Sequence, residues 1–465
     1  MEQRFLTQLD KEIENLREEL AKLTVCLVNI KSEQEAPLPG APFGKGPRCV
    51  LDEMLQLGKE AGFFCADYGV GVVSLSVEKK TADLGIWTHG DVVPAGEGWN
   101  FSPYDAVEYQ GCVIGRGAAD NKGQIAAMFL LLRLFKEMQI PLKYNPALYI
   151  GSNEETGMLD LVGIPGNPDA KGFLNVAKAP RLSLVPDSGF PVGYGGKGAV
   201  TLTLKSRTPL HGCSLTAGQP ADPGLITAVL DGTPLPGTFP GCKIEGNRVT
   251  AWTVPRHGAR PDPDGNMITV LSDAMLASGQ AHKEDRYIWE FLRRISSDVD
   301  GATLGIQAMA EGMKPLTVFA KRIDDDCGHP ALVLDIRYPD SITPAEILER
   351  AGAAAEQQGF LLADSHVGSP AYRMPVDTPV VKMLRDAANS VTGMHEEPFT
   401  LSGGTYANRL PNAYVFGTNA NLAPKDFPKG HGSAHGVDES VSLERLQRAM
   451  RIYARALLRL NELDW

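Results

Sequence analysis

Three apolar runs in the sequence each end in a cluster of polar residues, and this arrangement constrains the fold more than any other feature. The runs are Leu84–Thr88, Ala147–Gly151 and Leu182–Val185. Helical patterns such as Gly123–Met138 separate them, and strands that alternate with helices predict an α/β domain. Open α/β sheets build their sites at the carboxyl ends of strands, so the polar clusters mark a candidate site. The clusters are HGD at 89–91, NEETG at 153–157 and PDSG at 186–189.

The middle of the chain has a different pattern of apolar and polar residues. Val200–Leu204 and Leu332–Tyr338 alternate apolar and polar residues, and a helical pattern follows at Pro344–Gln358. This predicts a smaller α+β domain inserted into the first, whose pattern resumes with a helix at Pro379–Val391. The 465 residues suffice for two such cores, at roughly 100–200 residues per domain. The predicted segments are 1–190 and 373–465 for the first domain and 191–372 for the insertion.

Charge and cysteine content narrow the class of protein. Lys plus Arg number 45 and Asp plus Glu 56, and the resulting net charge of −11 argues against a surface for nucleic acid or an anionic membrane. Seven cysteines without CxxC spacing favour a reducing compartment. The first twenty residues lack the apolar run of a signal peptide, and Ile125–Leu132 is far shorter than the about 20 residues that cross a bilayer. We therefore expect a cytoplasmic protein that acts on small molecules.

Residues of the types that bind metals follow all three strands and recur at two further places. They are His89, Asp91, Asp120, Glu154, Glu155, Asp187 and His435. Taken singly, each is ordinary, because an isolated acidic pair is usually a solvated face and an Asp before Ser-Gly is usually a turn. Their concentration at the ends of successive strands favours a metal site over those interpretations.

Longer motifs around these residues carry a family resemblance. WTHGDVVPAGEGWNFSPYDAVEYQGCVIGRGAADNKG at 87–123 resembles the pattern of the M20 family of co-catalytic metallopeptidases, which is HxDVVP, a Trp, a Pro-Tyr and GRGxxDxKG. SNEETG at 152–157 resembles the family's acidic pair, and PDSG at 186–189 resembles its second metal-binding Asp. The motifs span nearly the whole chain in the family's order.

Within the family the chain is most similar to the bacterial dipeptidases of the PepV/Sapep type. The similar segments are PFG at 42–44, GGKGAVTLTL at 195–204 and SGGTYANRLPNAYVFG at 402–417. The resemblance implies a zinc-peptidase-like catalytic domain, with a mixed sheet flanked by helices, and an inserted α+β lid domain. The resemblance also implies a monomer, because in enzymes of this type an enlarged lid contributes its histidine to the active site of the same chain.

The resemblance further implies a site for two divalent metal ions. Asp120 would bridge both ions, with His89 and Asp187 on one and Glu155 and His435 on the other. This mixed nitrogen and oxygen donor set suits Zn²⁺, Mn²⁺ or Co²⁺, and Zn²⁺ is the ion we expect.

Two positions near these ligands involve a choice. His431 and His435 both lie in KGHGSAHGVDES, and the family pattern of a His followed four residues later by Glu fits His435 with Glu439. Asn121 follows Asp120 where the family usually has a second Asp, at a junction that the family holds as a cis peptide. The sequence leaves open whether that isomer is kept.

Three residues take catalytic roles by the same resemblance. Glu154 is the expected general base for the water and then the acid for the leaving amine. Asp91 is the expected partner of the His89 imidazole, where a carboxylate would fix the tautomer. His257, in PRHGARPDPDGN at 255–266, resembles the lid histidine that stabilises the oxyanion, and the alternative is a surface-loop histidine.

The remaining candidates concern the substrate. Arg337 resembles the lid arginine that binds a substrate's terminal carboxylate, although a structural salt bridge to a neighbouring Asp is the alternative. Gly404 and Thr405 resemble the loop that cradles the same end of the substrate. The predicted function is hydrolysis of dipeptides. The alternatives are a deacylase of N-acyl amino acids and a catalytically inactive, amino-acid-binding homologue.

Overall fold

The computed structural model of the chain describes residues 2–78, 81–217, 225–231, 235, 237–253, 261–262, 265–279 and 281–465. The chain divides into two compact units. The first unit comprises Met1–Gly195, Met374–Phe399 and Thr405–Trp465, and the second comprises Gly196–Arg373 and Thr400–Gly404. Within the described ranges, every helix is too short or too polar to span a bilayer.

The helices and strands are as follows. The helices of the described residues are α1 (Glu2–Asn15), α2 (Arg17–Val28), α3 (Lys45–Glu60), α4 (Gly123–Glu137), α5 (Leu159–Val162), α6 (Phe173–Val176), α7 (Met267–Ser278), α8 (Arg286–Ser297), α9 (Pro344–Gln357), α10 (Pro379–Thr392) and α11 (Leu443–Leu460). The strands are β1 (Phe64–Asp67), β2 (Val72–Ser76), β3 (Leu84–His89), β4 (Val107–Tyr109), β5 (Cys112–Ile114), β6 (Pro146–Gly151), β7 (Leu182–Val185), β8 (Gly193–Gly196), β9 (Gly198–Ser206), β10 (Cys213–Ala217), β11 (Leu225–Leu230), β12 (Cys242–Glu245), β13 (Arg248–Trp252), β14 (Thr317–Asp326), β15 (His329–Tyr338), β16 (Phe360–Val367), β17 (Tyr372–Arg373), β18 (Phe399–Leu401), β19 (Ala413–Val415) and β20 (Ser440–Ser442).

A mixed sheet forms the centre of the first unit. In this unit its strands run in the order β1-β2-β6-β3-β7-β19-β8. Strands β6, β3, β7 and β19 are parallel, whereas β1, β2 and β8 are antiparallel to their neighbours. The three apolar runs recognised in the sequence are β3, β6 and β7, which are adjacent, so their carboxyl ends meet at one edge. The predicted α/β class is confirmed.

Helix α4 lies in the core of the first unit. The run from Ile125 to Leu132 is buried throughout, together with Ile86 and Leu148 of the sheet. A helix that is apolar on all sides is expected in such a place. Since α4 follows directly after the turn Ala118–Lys122, its burial also anchors that turn.

A small antiparallel sheet of β4, β5 and β20 joins two distant segments of the first unit. Ser440–Ser442 pairs with Cys112–Ile114, and the amide of Gly115 donates to the carbonyl oxygen of Glu439 at 2.9 Å. This pairing places the segment just before β20 against the turn that precedes α4.

The second unit contains antiparallel sheets with helices α7, α8 and α9. One sheet has the strand order β14-β15-β9-β16, and another has the order β10-β11-β13-β12. Alternate residues of β9 are buried, which is the pattern of a strand with one face in the core. Helix α9 begins with a capping box, in which Thr343 accepts from the Glu346 amide and Glu346 accepts from the Thr343 amide. The predicted α+β character of the insertion is confirmed.

Candidate metal centre

The first group of predicted ligands lies where β3 and β7 end. His89 is the last residue of β3 and is buried, and Asp187 follows two residues after β7. His89 Nε2 is 2.9 Å from Asp120 Oδ1 and 3.9 Å from Asp187 Oδ2. The structure therefore brings together all three side chains that the sequence assigns to the first ion.

The second group shares Asp120 with the first. His435 Nε2 is 2.9 Å from Glu155 Oε1 and 3.1 Å from Asp120 Oδ2. The alternative histidine, His431, has its Nδ1 at 2.6 Å from an oxygen of Asp438 instead. Of the two histidines, His435 is the one that joins the centre.

The donor set of the centre fits divalent cations. In each group, one ligand atom per residue lies within 4.8 Å of the other two, and Asp120 belongs to both groups. Four carboxylates meet two imidazoles here when Glu154 is included with Asp120, Glu155 and Asp187. Such an excess of carboxylates in a buried site calls for cations, and mixed imidazole and carboxylate ligands suit Zn²⁺ and similar ions.

The pKa values of the carboxylates reflect this crowding. Burial raises the pKa of Glu154 and of Asp187 well above the usual range, and neighbouring carboxylates raise both further. Burial and Asp120 likewise raise the pKa of Glu155. Burial acts in the same direction on Asp120, but hydrogen bonds from His435 and His89 outweigh it and lower the pKa of this carboxyl. Asp120 is thus the carboxylate that both imidazoles hold in its charged form.

Asp91 connects His89 to the acidic pair. Its carboxylate accepts the backbone N–H groups of Glu154 and Glu155, at 3.1 and 3.0 Å. His89 Nδ1 is 3.1 Å from the Asp91 backbone oxygen and 3.5 Å from its carboxylate. The sequence predicted only that Asp91 contacts the His89 imidazole. The structure shows that the Asp91 carboxylate also orients the acidic pair, because it accepts the backbone N–H groups of Glu154 and Glu155.

Asn121 contacts Asp187, one of the predicted ligands. Its amide donates to Asp187 Oδ1 at 3.1 Å and to the Pro186 carbonyl at 3.2 Å. The peptide bond between Asp120 and Asn121, which the sequence left open, is cis. An Asn at this position donates a hydrogen bond to a carboxylate, which an ionised Asp cannot do.

Sequence reasoning used Glu439 only as a marker for His435 and missed its structural role. The buried Glu439 carboxylate accepts from the amides of Gly117, Ala119 and Asp120 at 2.9–3.0 Å. It also accepts from Arg116 at 2.6 Å, and Arg116 donates to the His435 backbone oxygen at 3.2 Å. One ion pair therefore holds the backbone of both Asp120 and His435. The signal was the arginine of the GRG motif, which the sequence analysis left without a role.

A second missed pair lies behind the acidic residues. Buried Asp160 accepts the backbone N–H groups of Ser152 and Asn153, at 2.8 and 3.1 Å, and a hydrogen bond from the Tyr406 hydroxyl. Burial raises the pKa of Asp160 to about 7. A Cβ at Gly151 would collide with both side chains, so glycine is required there. The pair thus supports the residues that lead directly into Glu154.

The predicted substrate residues have other partners in the structure. Arg337 lies on β15 of the second unit and makes two hydrogen bonds to Asp335, at 2.8 and 3.0 Å. Thr405 is buried, and its hydroxyl accepts the Ala407 amide at 3.2 Å. Gly404 belongs to the second unit, and His257 lies outside the described residues. Substrate binding by these residues stays a prediction.

Comparisons with known proteins agree with this geometry. A family model described as peptidase family M20/M25/M40 matches residues 85–459. The Bacillus subtilis (strain 168) protein named "Putative dipeptidase YtjP" is 25% identical, over 97% of this chain and 98% of its own. A Staphylococcus epidermidis (strain ATCC 12228 / FDA PCI 1200) protein, also named as a dipeptidase, is 26% identical over 96% of this chain and 97% of its own.

Solved structures share the fold across the whole chain. Human carnosine dipeptidase 1 has a TM-score of 0.60 at 13% identity, covering 98% of this chain and 99% of that one. The dipeptidase Dug1p from Saccharomyces cerevisiae has a TM-score of 0.61 at 12% identity, covering 99% of each chain. The likeness confirms the predicted fold class, and at these identities it concerns the fold alone.

Proposed function

The chain belongs to peptidase family M20/M25/M40 and is a metal-dependent dipeptidase, and we propose that it cleaves short peptides bearing a free amino terminus, with Glu154 as proton carrier. One observation supports this assignment above all others. Two groups of ligands share Asp120 at the carboxyl edge of the sheet, and Glu154 stands beside the ligand Glu155. The site therefore offers a place for two ions together with a further carboxylate that neither ion requires.

The ligand assignment follows the two groups. His89 and Asp187 would hold one ion, Glu155 and His435 the other, and Asp120 both. When bound, two such ions lower the pKa of a water molecule and polarise the scissile carbonyl. Zn²⁺ is our proposal for the ion, on the basis of the mixed imidazole and carboxylate donors.

Glu154 is proposed to move the protons of the reaction. Its carboxylate takes a proton from the attacking water and passes it to the amine nitrogen of the leaving residue. Asp91, through the N–H groups of Glu154 and Glu155, keeps the proton carrier in a fixed position next to a metal ligand.

The finer expectations are part of the same proposal. We propose a cytoplasmic monomer, with the insertion acting as a lid that supplies His257 and Arg337 to the chain's own site. The loop of Gly404 and Thr405 is proposed to cradle the carboxyl end of the substrate. The location rests on the cysteine pattern. The monomer rests on the length of the insertion and on the resemblance to the PepV/Sapep type.

The decisive experiment compares substrates. Metal-reconstituted protein is incubated with a panel of dipeptides, their N-acetylated forms and matching tripeptides, and the products are quantified by chromatography. We expect dipeptides to be hydrolysed fastest, because a lid that grips the terminal carboxylate holds the scissile bond at a fixed distance from the metal centre. If N-acyl amino acids are instead cleaved faster than every dipeptide, the deacylase assignment replaces this one.

A further inference from the structure

A further group of histidine and carboxylate side chains that could bind a metal ion lies within the second unit. Neither the family motifs nor the predicted site includes these residues. His211 lies in the connection between β9 and β10, and His282 and Asp285 lie just before α8. One ligand atom from each of the three side chains lies within 4.8 Å of the other two. Glu284 adds a second carboxylate, with Oε2 at 3.7 Å from His211 Nε2.

Asp285 holds His211 in the orientation of a metal ligand. Its carboxylate is buried, and its two oxygens contact the Nδ1 and the backbone N–H of His211, both at 2.7 Å. A carboxylate on Nδ1 keeps the proton on that nitrogen, which leaves the lone pair of Nε2 free for an ion. Metal-binding histidines in proteins commonly have such a carboxylate behind the ring.

His282 and Glu284 offer further donor atoms next to His211. The rings of His211 and His282 have their centroids 5.4 Å apart, and both side chains are solvent-accessible. Glu284 is exposed, and its Oε2 already lies on the Nε2 side of His211, whereas both oxygens of Asp285 are engaged by the Nδ1 and the backbone N–H of His211. Two imidazoles and one carboxylate form the donor set that late first-row divalent ions favour.

We propose that His211, His282 and Glu284 bind one such ion, with Zn²⁺ as the probe, and that Asp285 positions His211. The ion links the connection before β10 to the start of α8, so its role is to brace the second unit. This inference does not depend on the proposed peptidase function.

The test counts ions per chain. The full-length protein is stripped with a chelator and brought to equilibrium by dialysis against Zn²⁺, and bound zinc is measured by mass spectrometry. We expect His282→Ala to bind one ion fewer per chain than the wild type, with dipeptide hydrolysis unchanged. His366→Ala removes another exposed imidazole of the same unit and should bind as many ions as the wild type.

The choice of variants guards against misfolding. His211→Ala would leave one oxygen of the buried Asp285 carboxylate without its imidazole partner, so His282→Ala carries the test and Glu284→Gln is the second variant. Equal ion counts in the wild type and His282→Ala would overturn the proposal and leave only an ion pair between protonated His211 and Asp285. Loss of an ion in His366→Ala would overturn it too, because exposed imidazoles in general would then account for the binding. Ions in the first unit are common to all of these proteins and cancel in the comparison.

Discussion

The two units differ in how the charges of the predicted functional side chains are balanced. At the centre of the first unit, the buried carboxylates outnumber the imidazoles, and Asp120 lies between His89 and His435. In the second unit, the guanidinium of Arg337 already has a carboxylate partner two residues away, Asp335. The first arrangement is suited to cations from outside the chain, which would balance the crowded carboxylates. In the second arrangement, a substrate carboxylate that bound Arg337, as predicted, would compete with an internal partner, so the two predictions differ in how directly the structure supports them.

The largest effects are expected from two substitutions in the first unit, one of which removes a proton carrier and the other a metal ligand. Glu154→Gln should retain its metal and lower kcat by about 10²–10⁴, because it removes only the proton carrier. Asp120→Ala should lose both metal and activity, because the shared ligand is gone. Metal content by mass spectrometry, together with steady-state rates, checks both variants. Two ions retained by Asp120→Ala would remove this residue from the bridging position.

The second prediction tests whether the insertion contributes a catalytic group, His257. His257→Ala should lower kcat by about 10²–10³, the usual loss for one oxyanion donor. Measured rates of the purified variant check this value. Mixing His257→Ala protein with Glu154→Gln protein should restore nothing, because in a monomer each chain uses its own lid. Recovered activity in the mixture would contradict the monomer and show that a partner chain delivers the histidine.

A smaller effect tests the support behind the acidic pair. Tyr406→Phe should lower kcat between about 10- and 100-fold with metal retained, because Asp160 loses the hydroxyl that helps it hold Ser152 and Asn153. The matched control is Tyr414→Phe, whose hydroxyl donates to the Pro375 carbonyl at 2.8 Å. This control should lose stability of about 0.5–1.5 kcal/mol in chemical denaturation and keep its kcat. Equal kcat values for the two variants would assign Tyr406 a purely structural role.

The smallest effect concerns the ion pair of the second unit. Arg337→Ala should lower kcat/KM for dipeptides by about 10-fold and nearly abolish the penalty for amidating the C-terminus, because the arginine then no longer recognises the carboxylate. Asp335→Asn is the control, since it removes the negative charge beside the guanidinium and leaves the arginine in place. If both variants lower kcat/KM to the same extent for free and amidated dipeptides, Arg337 serves only the ion pair.

Local structure was largely readable from the sequence. The strand Leu182–Val185 has the predicted bounds, α4 ends one residue before the predicted Met138, and α9 ends one residue before Gln358. Apolar periodicity and helix caps act between residues close in the chain, so the sequence carries them directly. Adjacent parallel strands then bring their polar ends to one edge, which is why the ligand types could be placed in advance.

What the sequence determined by itself is therefore the α/β class, the inserted domain and the residue types that the metal centre needs. Only the tertiary structure decided which groups hold these residues in place. Glu439 bonds to an amide 320 residues away, Tyr406 to a carboxylate 246 residues away, and Asp91 to the amides of the acidic pair. A hydrogen bond depends on distances of a few tenths of an ångström and on direction, which follow from the packing of the whole unit. Sequence motifs can therefore identify the candidate metal ligands, but the residues that hold these ligands in place by hydrogen bonds are known only from the folded structure.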